Sequence, residues 1–197
     1  MTASRGRTAV FLDRDGTIAT YQEYCRSPEA FDVLPGVGSA IRKLNEANLV
    51  VIVMTNQSAI GRGWLTMDTL AAIHDKMQSE LTKYGARVDA IYVCPHHPED
   101  GCGCRKPGTL MLTRAAQELE LSLVDSYVIG DRVLDVKTGQ GVGSTTILVQ
   151  CGHTPEPDSG ITPDYEAPTL TEAVEWVLHH HAKRQKARSS RPVEVVG

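Results

Sequence analysis

Aromatic residues are scarce, with two Phe, two Trp and six Tyr among 197 residues, so aliphatic side chains must fill most of any core. Long hydrophobic runs are missing too. The longest, Leu49 to Met54, is the size of a strand and far short of the ~18–20 residues that span a bilayer. At the N-terminus, MTASRGRTAVFLDRDG reaches acidic residues too soon to build a signal-peptide core, so a soluble cytoplasmic protein with no membrane partner is expected. No Gly-x-y period and no long polar tract occur, and the net charge is only −4, which excludes collagen and wholesale disorder. Five cysteines are an odd count, poorly suited to a closed disulfide framework. A chain of this length buries about 70% of its unfolded surface and needs no disulfides to hold a core.

Charge is uneven along the chain. From Ala182 to Gly197, Lys183, Arg184, Lys186, Arg188 and Arg191 face a single Glu194, leaving an acidic body before them. The expected division is a catalytic body over residues 1–181 and a flexible basic tail over 182–197. An acidic body argues against nucleic acid as a partner, because phosphate contacts dominate that affinity. A monomer is expected.

Short β-branched runs recur at Ala9–Leu12, Val50–Met54, Ala90–Val93, Tyr127–Ile129 and Thr146–Val149. They are near-continuous rather than alternating, as in strands buried on both faces of a parallel sheet. Helical spacing fills the gaps: Val37, Ile41 and Leu44; then Met67, Leu70, Ile73, Met77 and Leu81; then Leu110–Leu121, Leu134–Gly141 and Leu170–Leu178. This alternation predicts an α/β fold, a single doubly wound, mainly parallel Rossmann-like sheet with helices on both faces. The stretches after the first two strands are too short for a folded cap, so an open site without a large cap domain is expected. Ligands of such sheets bind at the carboxyl ends of the strands.

Chemistry-bearing residues gather at those ends. The first strand runs into Asp13 and Asp15, two carboxylates i and i+2, which share a face. Their repulsion calls for a cation or a shared proton, and Mg²⁺ takes carboxylate oxygens while keeping positions for phosphate. The second strand ends in Thr55 and Asn56, the fourth in Asp131 with Asp135 four residues on, and Lys106 follows the third.

Three of the cysteines lie in CPHHPEDGCGC, a loop over residues 94–104. Cys94, His96, Cys102 and Cys104 form a closed Cys₃His set suited to structural zinc, with His97 as the alternative imidazole and three unligated thiols as the alternative reading. A clamp there would support the neighbouring Lys106. Cys25 and Cys151 read as ordinary thiols, and the triplet His179–His181 as a solvated helix end.

DRDGT (13–17), TNQS (55–58), Lys106 in CRKPG and GDRVLD (130–135), taken in order, resemble the four motifs of the haloacid dehalogenase superfamily of phosphohydrolases. The resemblance covers residues 8 to about 178. It implies Asp13 as nucleophile, Asp15 as general acid and base, and Thr55 and Lys106 as holders of the phosphoryl oxygens. It further implies Mg²⁺ on Asp13, Asp131 and the backbone carbonyl of Asp15. FLDRDGTI, TNQSAIGRG, CPHHPE and CRKPG are similar to the zinc-containing branch acting on D-glycero-D-manno-heptose 1,7-bisphosphate, a sugar phosphate of glycoconjugate precursor supply. In that branch zinc sits on the residues matching Cys94, His96, Cys102 and Cys104. Substrate contacts are expected at Asn56, Gln57, Ser58, Arg105 and Arg132, and at Tyr24 in the loop Thr20–Leu34, with Arg26, Arg62 and Trp64 nearby. The related histidinol-phosphate phosphatases are the alternative, and a non-catalytic zinc module binding nucleic acid is a distant one.

Overall fold

The structure is a computed structural model, described here for residues 6–150 and 160–189. Strand β1 (Ala9–Leu12) is wholly buried because it lies in the middle of the sheet. With β2 (Val50–Asn56), β3 (Ala90–Cys94), β4 (Tyr127–Gly130), β5 (Thr145–Val149) and β6 (Tyr165–Ala167) it forms one sheet in the order β3-β2-β1-β4-β5-β6. All five pairings are parallel. The near-continuous apolar runs have a simple cause. Val10, Leu12, Val51 and Val53 face one layer of core, while Ala9, Phe11, Val50, Ile52 and Met54 face the other, so both pleat faces must be apolar.

Helices α1 (Val37–Glu46), α3 (Met67–Thr82) and α6 (Leu170–Ser189) cover the first face with Ile41, Leu44, Leu70, Ile73, Met77, Val174 and Val177. Across the sheet, α4 (Leu110–Leu119) contributes Met111, Leu112 and Ala115. On that side α5 (Val133–Gln140) lies so close that a Cβ on Gly139 would stand 2.9 Å from Val128. Two elements were not expected from the sequence: the one-turn helix α2 (Ser58–Gly61) and the three-residue edge strand β6. Both are too short to show a period. Met67, expected on the apolar helix face, is 54% exposed because it is the first residue of its helix, and Leu110, the first residue of α4, is 53% exposed for the same reason.

Within the expected basic tail, helix α6 continues to Ser189, and Arg184 and Arg188 both pair with Asp125. Residues 190–197 lie outside the described residues, as does Cys151. The histidine triplet is on this helix, but His180 is not simply solvated: it stacks on Trp176 at 4.7 Å and meets the Tyr127 hydroxyl at 3.0 Å. No helix among the described residues is long and apolar enough to cross a membrane.

Between β1 and α1 the chain folds back as a small flap, tied by Thr20 N–H to Asp32 O and Leu34 N–H to Ile18 O, and carrying Cys25 and Phe31 inward. Together with β1 and β4, which flank the point where the strand order reverses, it frames the site.

Candidate active site

Three carboxylates and one ammonium meet at the switch point. Asp13 leaves β1, Asp131 leaves β4, and Asp135 reaches back from the first turn of α5. All three are buried, and their oxygens lie within 4.8 Å of one another. Lys106 Nζ stands between two of them, 2.7 Å from Asp13 Oδ1 and 2.5 Å from Asp135 Oδ1, and also donates to Met54 O at 3.2 Å. Three carboxylates against one ammonium leave excess negative charge in a buried place, and burial of unbalanced charge is costly. Burial pushes the Asp13 carboxyl up to about 6 against the opposing charge of Lys106, with Asp135 and Asp15 raising it further. Burial, then Asp13 and Asp135, pushes Asp131 up to about 8. Burial alone would depress the Lys106 ammonium, but Asp13 and Asp135 hold it above its ordinary value, so it stays charged. An oxygen-only donor set of this charge fits a hard divalent cation. Gly16, at φ 86°, makes the approach possible: a Cβ there would sit 2.1 Å from Asp131 Oδ2.

The end of β2 supplies the next layer. Gln57 Nε2 donates to Thr55 Oγ1 at 2.8 Å and to Asp15 Oδ2 at 2.9 Å. Because the Thr55 oxygen accepts, its own proton is available for an incoming oxygen. Asn56, expected to touch substrate, has its amide committed elsewhere: Oδ1 accepts from Lys106 N–H at 3.1 Å, and Nδ2 donates to Lys106 O at 3.4 Å. It therefore holds the backbone that presents the ammonium. Ser58 starts α2 and is buried.

Cys94, His96, Cys102 and Cys104 come together at the end of β3, with their ligand atoms within 4.8 Å of one another. Five of the six edges of this group measure 3.1–3.7 Å. Four converging soft and borderline donors are the chemistry of a closed metal site. His97 is turned away, its Nδ1 accepting from Glu99 N–H at 3.3 Å in the turn Pro98–Asp100.

Asp13, Asp15, Thr55, Asn56, Gln57, Ser58, Arg105, Lys106, Arg132 and Tyr24 all line one cavity of about 250 Å³. Tyr24 leans edge-on against Trp64 at 5.0 Å, and Arg26 and Arg62 lie over the Trp64 ring at 5.1 Å each. Sequence reasoning left Asp135 without a role, although it stands inside GDRVLD four residues after Asp131, in the first turn of the helix that follows. It also passed over Arg14, which pairs with Asp15, and His74, whose contact with Arg14 joins the turn after β1 to α3 across sixty residues and carries no sequence signal.

Comparison with known proteins agrees with this geometry. Residues 103–173 match the HAD-hydrolase-like family. The chain is 39% identical over 145 residues to the D-glycero-beta-D-manno-heptose-1,7-bisphosphate 7-phosphatase of Bordetella bronchiseptica, covering 73% of this chain and 81% of that protein. To the Escherichia coli K12 protein of that name it is 34% identical over 187 residues, covering 91% and 92%. It superposes with a TM-score of 0.79 and 34% identity on the crystal structure of the B. bronchiseptica D,D-heptose 1,7-bisphosphate phosphatase complexed with magnesium and phosphate, covering 88% of this chain and 99% of that one. The chain belongs to the D-glycero-D-manno-heptose-1,7-bisphosphate 7-phosphatase family of HAD-like hydrolases.

Proposed function

We propose that this chain, acting as a monomer through one catalytic domain, removes the 7-phosphate of D-glycero-D-manno-heptose 1,7-bisphosphate by way of an aspartyl-phosphate. One observation carries the reading: Asp13, the carboxylate pair Asp131 and Asp135, and the buried Lys106 converge on a cavity walled by Arg105 and Arg132. The names of the relatives favour the heptose substrate over histidinol phosphate.

Asp13, held by Lys106 on Oδ1, attacks phosphorus with its carboxylate. As the bond from phosphorus to the sugar oxygen breaks, Asp15 passes its proton to that oxygen and the alcohol leaves. Water then attacks the phosphorus of the aspartyl-phosphate, Asp15 takes its proton, and the bond to Asp13 breaks to release inorganic phosphate. Two displacements replace one difficult one. Thr55 donates its hydroxyl proton to the phosphoryl oxygens and Lys106 sets its positive charge beside them, stabilising charge where it develops. Mg²⁺ on Asp13, Asp131 and the Asp15 carbonyl supplies charge screening between the anionic nucleophile and the anionic phosphate when bound. Asp135 orients Lys106. Arg105 has a buried Nη1 with no hydrogen-bond partner among the described residues, which supports its contact with an anionic substrate group. Tyr24 and Arg132 flank the same space, while Asn56, Gln57 and Ser58 act behind it.

Zinc is the ion proposed for the Cys₃His group. Sulfur ligands about 2.3 Å from a tetrahedral ion stand about 3.8 Å apart, close to the 3.2–3.6 Å between these sulfurs. The test is kcat/KM for heptose 1,7-bisphosphate and histidinol phosphate, with phosphorus NMR to identify the phosphate lost. Preference for the heptose with the 1-phosphate retained is expected. Preference for histidinol phosphate overturns the assignment.

A further inference from the structure

Arg14 is fully buried, yet it takes no part in the chemistry above. Each of its three guanidinium nitrogens has a partner. Nε donates to Asp15 Oδ1 at 3.0 Å, one terminal nitrogen to Oδ2 at 2.8 Å, and the other lies 3.3 Å from His74 Nε2. Its central carbon lies over the Phe31 ring, 5.8 Å from the ring centroid. Withdrawing a guanidinium from water costs several kcal/mol unless its partners are well placed. Here the planar fork matches a carboxylate in two parallel hydrogen bonds, a geometry a lysine cannot reproduce.

His74 fixes the far end. It sits on the inner face of α3 beside Ile73 and Met77, and burial followed by the Arg14 charge lowers its pKa to about 4. It is therefore neutral, and because Arg14 can only donate, Nε2 must accept and Nδ1 carries the proton. The guanidinium is pinned by a core helix on one side and the flap phenylalanine on its face. Its free edge points at a single group, the Asp15 carboxylate, which keeps 20% of its side chain exposed and lines the cavity.

We infer that Arg14, anchored by His74, is a positioning residue that holds the Asp15 carboxyl facing the cavity, so that its outer lone pairs exchange protons with the leaving oxygen and with water. This rests on the proposed acid–base role of Asp15. Both oxygens are fixed from behind by the fork, and Gln57 adds a third hydrogen bond to Oδ2. Such a carboxyl has one orientation to offer, and orientation is what a general acid needs.

A merely structural arginine predicts a uniform loss, whereas a positioning arginine predicts a loss that depends on the leaving group. The experiment compares heptose bisphosphate, whose alkoxide must be protonated, with p-nitrophenyl phosphate, whose nitrophenolate leaves without a proton. Steady-state kcat and KM are read for the sugar, and the pre-steady-state burst of nitrophenolate for the aryl ester. Asp15→Asn should lower kcat on the sugar by about 10³-fold while leaving the burst within about threefold. Arg14→Met should show the same split at about 10²-fold, and His74→Leu at about tenfold, with KM little changed and His74→Gln, which keeps an acceptor, close to wild type. If Asp15→Asn shows no split, the acid–base reading of Asp15 fails. If Asp15→Asn shows it while Arg14→Met and His74→Leu slow both substrates equally, or neither, the positioning role fails. Should Arg14→Met not fold, His74→Leu, which leaves the Arg14–Asp15 pair in place, decides by the same criterion.

Discussion

The two candidate metal groups of this molecule are opposites in construction. Asp13 lies more than a hundred residues before Asp131 and Asp135; the three come from two strand ends and a helix, are all buried, and offer only oxygen. Cys94, His96, Cys102 and Cys104 lie within eleven residues of one loop, are partly exposed apart from Cys94, and offer sulfur and nitrogen. The first can form only after the sheet has formed, and its like charges work against folding. The second can close as soon as its loop meets a soft ion, and its ion adds to folding. The two touch through one hinge of backbone. β3 pairs Cys94 with Asn56 on β2, and Asn56 grips the Lys106 main chain on both sides. In the proposed reading the long-range group does the chemistry, and the local one steadies a lysine that serves it.

The largest expected effect follows from removing the nucleophile. Asp13→Asn keeps the shape, removes the attacking charge and one buried negative charge, and should cost on the order of 10⁵–10⁶-fold in kcat, a scale set by nucleophile removal in other covalent enzymes. Its thermal midpoint should equal or exceed wild type, since burial disfavours the charge in the first place. Residual turnover within tenfold of wild type would show that the buried carboxylates do not do the chemistry. Next comes Lys106→Met. It removes the cation between Asp13 and Asp135, so a destabilisation of about 3–5 kcal/mol is expected by chemical denaturation. A loss of about 10²–10³-fold in kcat should accompany it, as for the removal of one preorganised charge donor. A stable, active Lys106→Met protein would break the contrast at its centre.

How much of each group could be read in the sequence follows from the same contrast. The cysteine loop is legible as spacing, because its ligands are near neighbours along the chain. Asp13, Asp15, Thr55, Lys106 and Asp131 are legible only after the strands are recognised, since it is the parallel sheet that brings their ends together. The five strands read as apolar runs are clear because their residues are buried on both faces, as in β1 and β2, or at least half-buried, as in β3, whereas β6 alternates half-buried, exposed and buried over three residues and leaves no run. Asn56 shows the limit of motif reading. Its type and place suggest a substrate contact, but the cross-chain bond to Lys106 exists only in three dimensions. The Arg14–His74 contact is hidden for the same reason, and so is the docking of Arg184 and Arg188 on Asp125, which turns part of an apparent tail into helix.

A smaller effect separates the roles of the two groups. Cys104→Ser, or stripping the loop metal with a chelator, should lower the melting temperature while leaving kcat, measured well below that temperature with Mg²⁺ in excess, within about twofold. If free metal stands at a thousand times its Kd, binding contributes about 4 kcal/mol, or roughly 8–16 °C in a chain of this size. A collapse of kcat in folded, Mg²⁺-loaded Cys104→Ser would mean that the loop does more than steady Lys106.

The smallest expected effect concerns the carboxylates themselves and depends on pH. Asp13 and Asp131 have folded-state values near 6 and 8 against an ordinary 3.8, so the metal-free folded state binds protons more tightly than the unfolded chain. That favours folding fully below about pH 4, and the advantage is lost as pH rises through the two folded values. Mg²⁺ at the proposed site would take the place of those protons and compete with them. Adding it should therefore raise the melting temperature little at pH 5 and most at pH 8, where saturation at a hundred times Kd gives about 2.7 kcal/mol, or roughly 5–11 °C. Asp131→Asn should flatten this dependence by removing the higher of the two values. A metal on the Cys₃His group would show a slope of the same sign, since protons would displace it at acid pH and the loop would lose its support. A Mg²⁺ stabilisation that is equal at pH 5 and pH 8 would show that the ion does not bind where the three carboxylates repel one another.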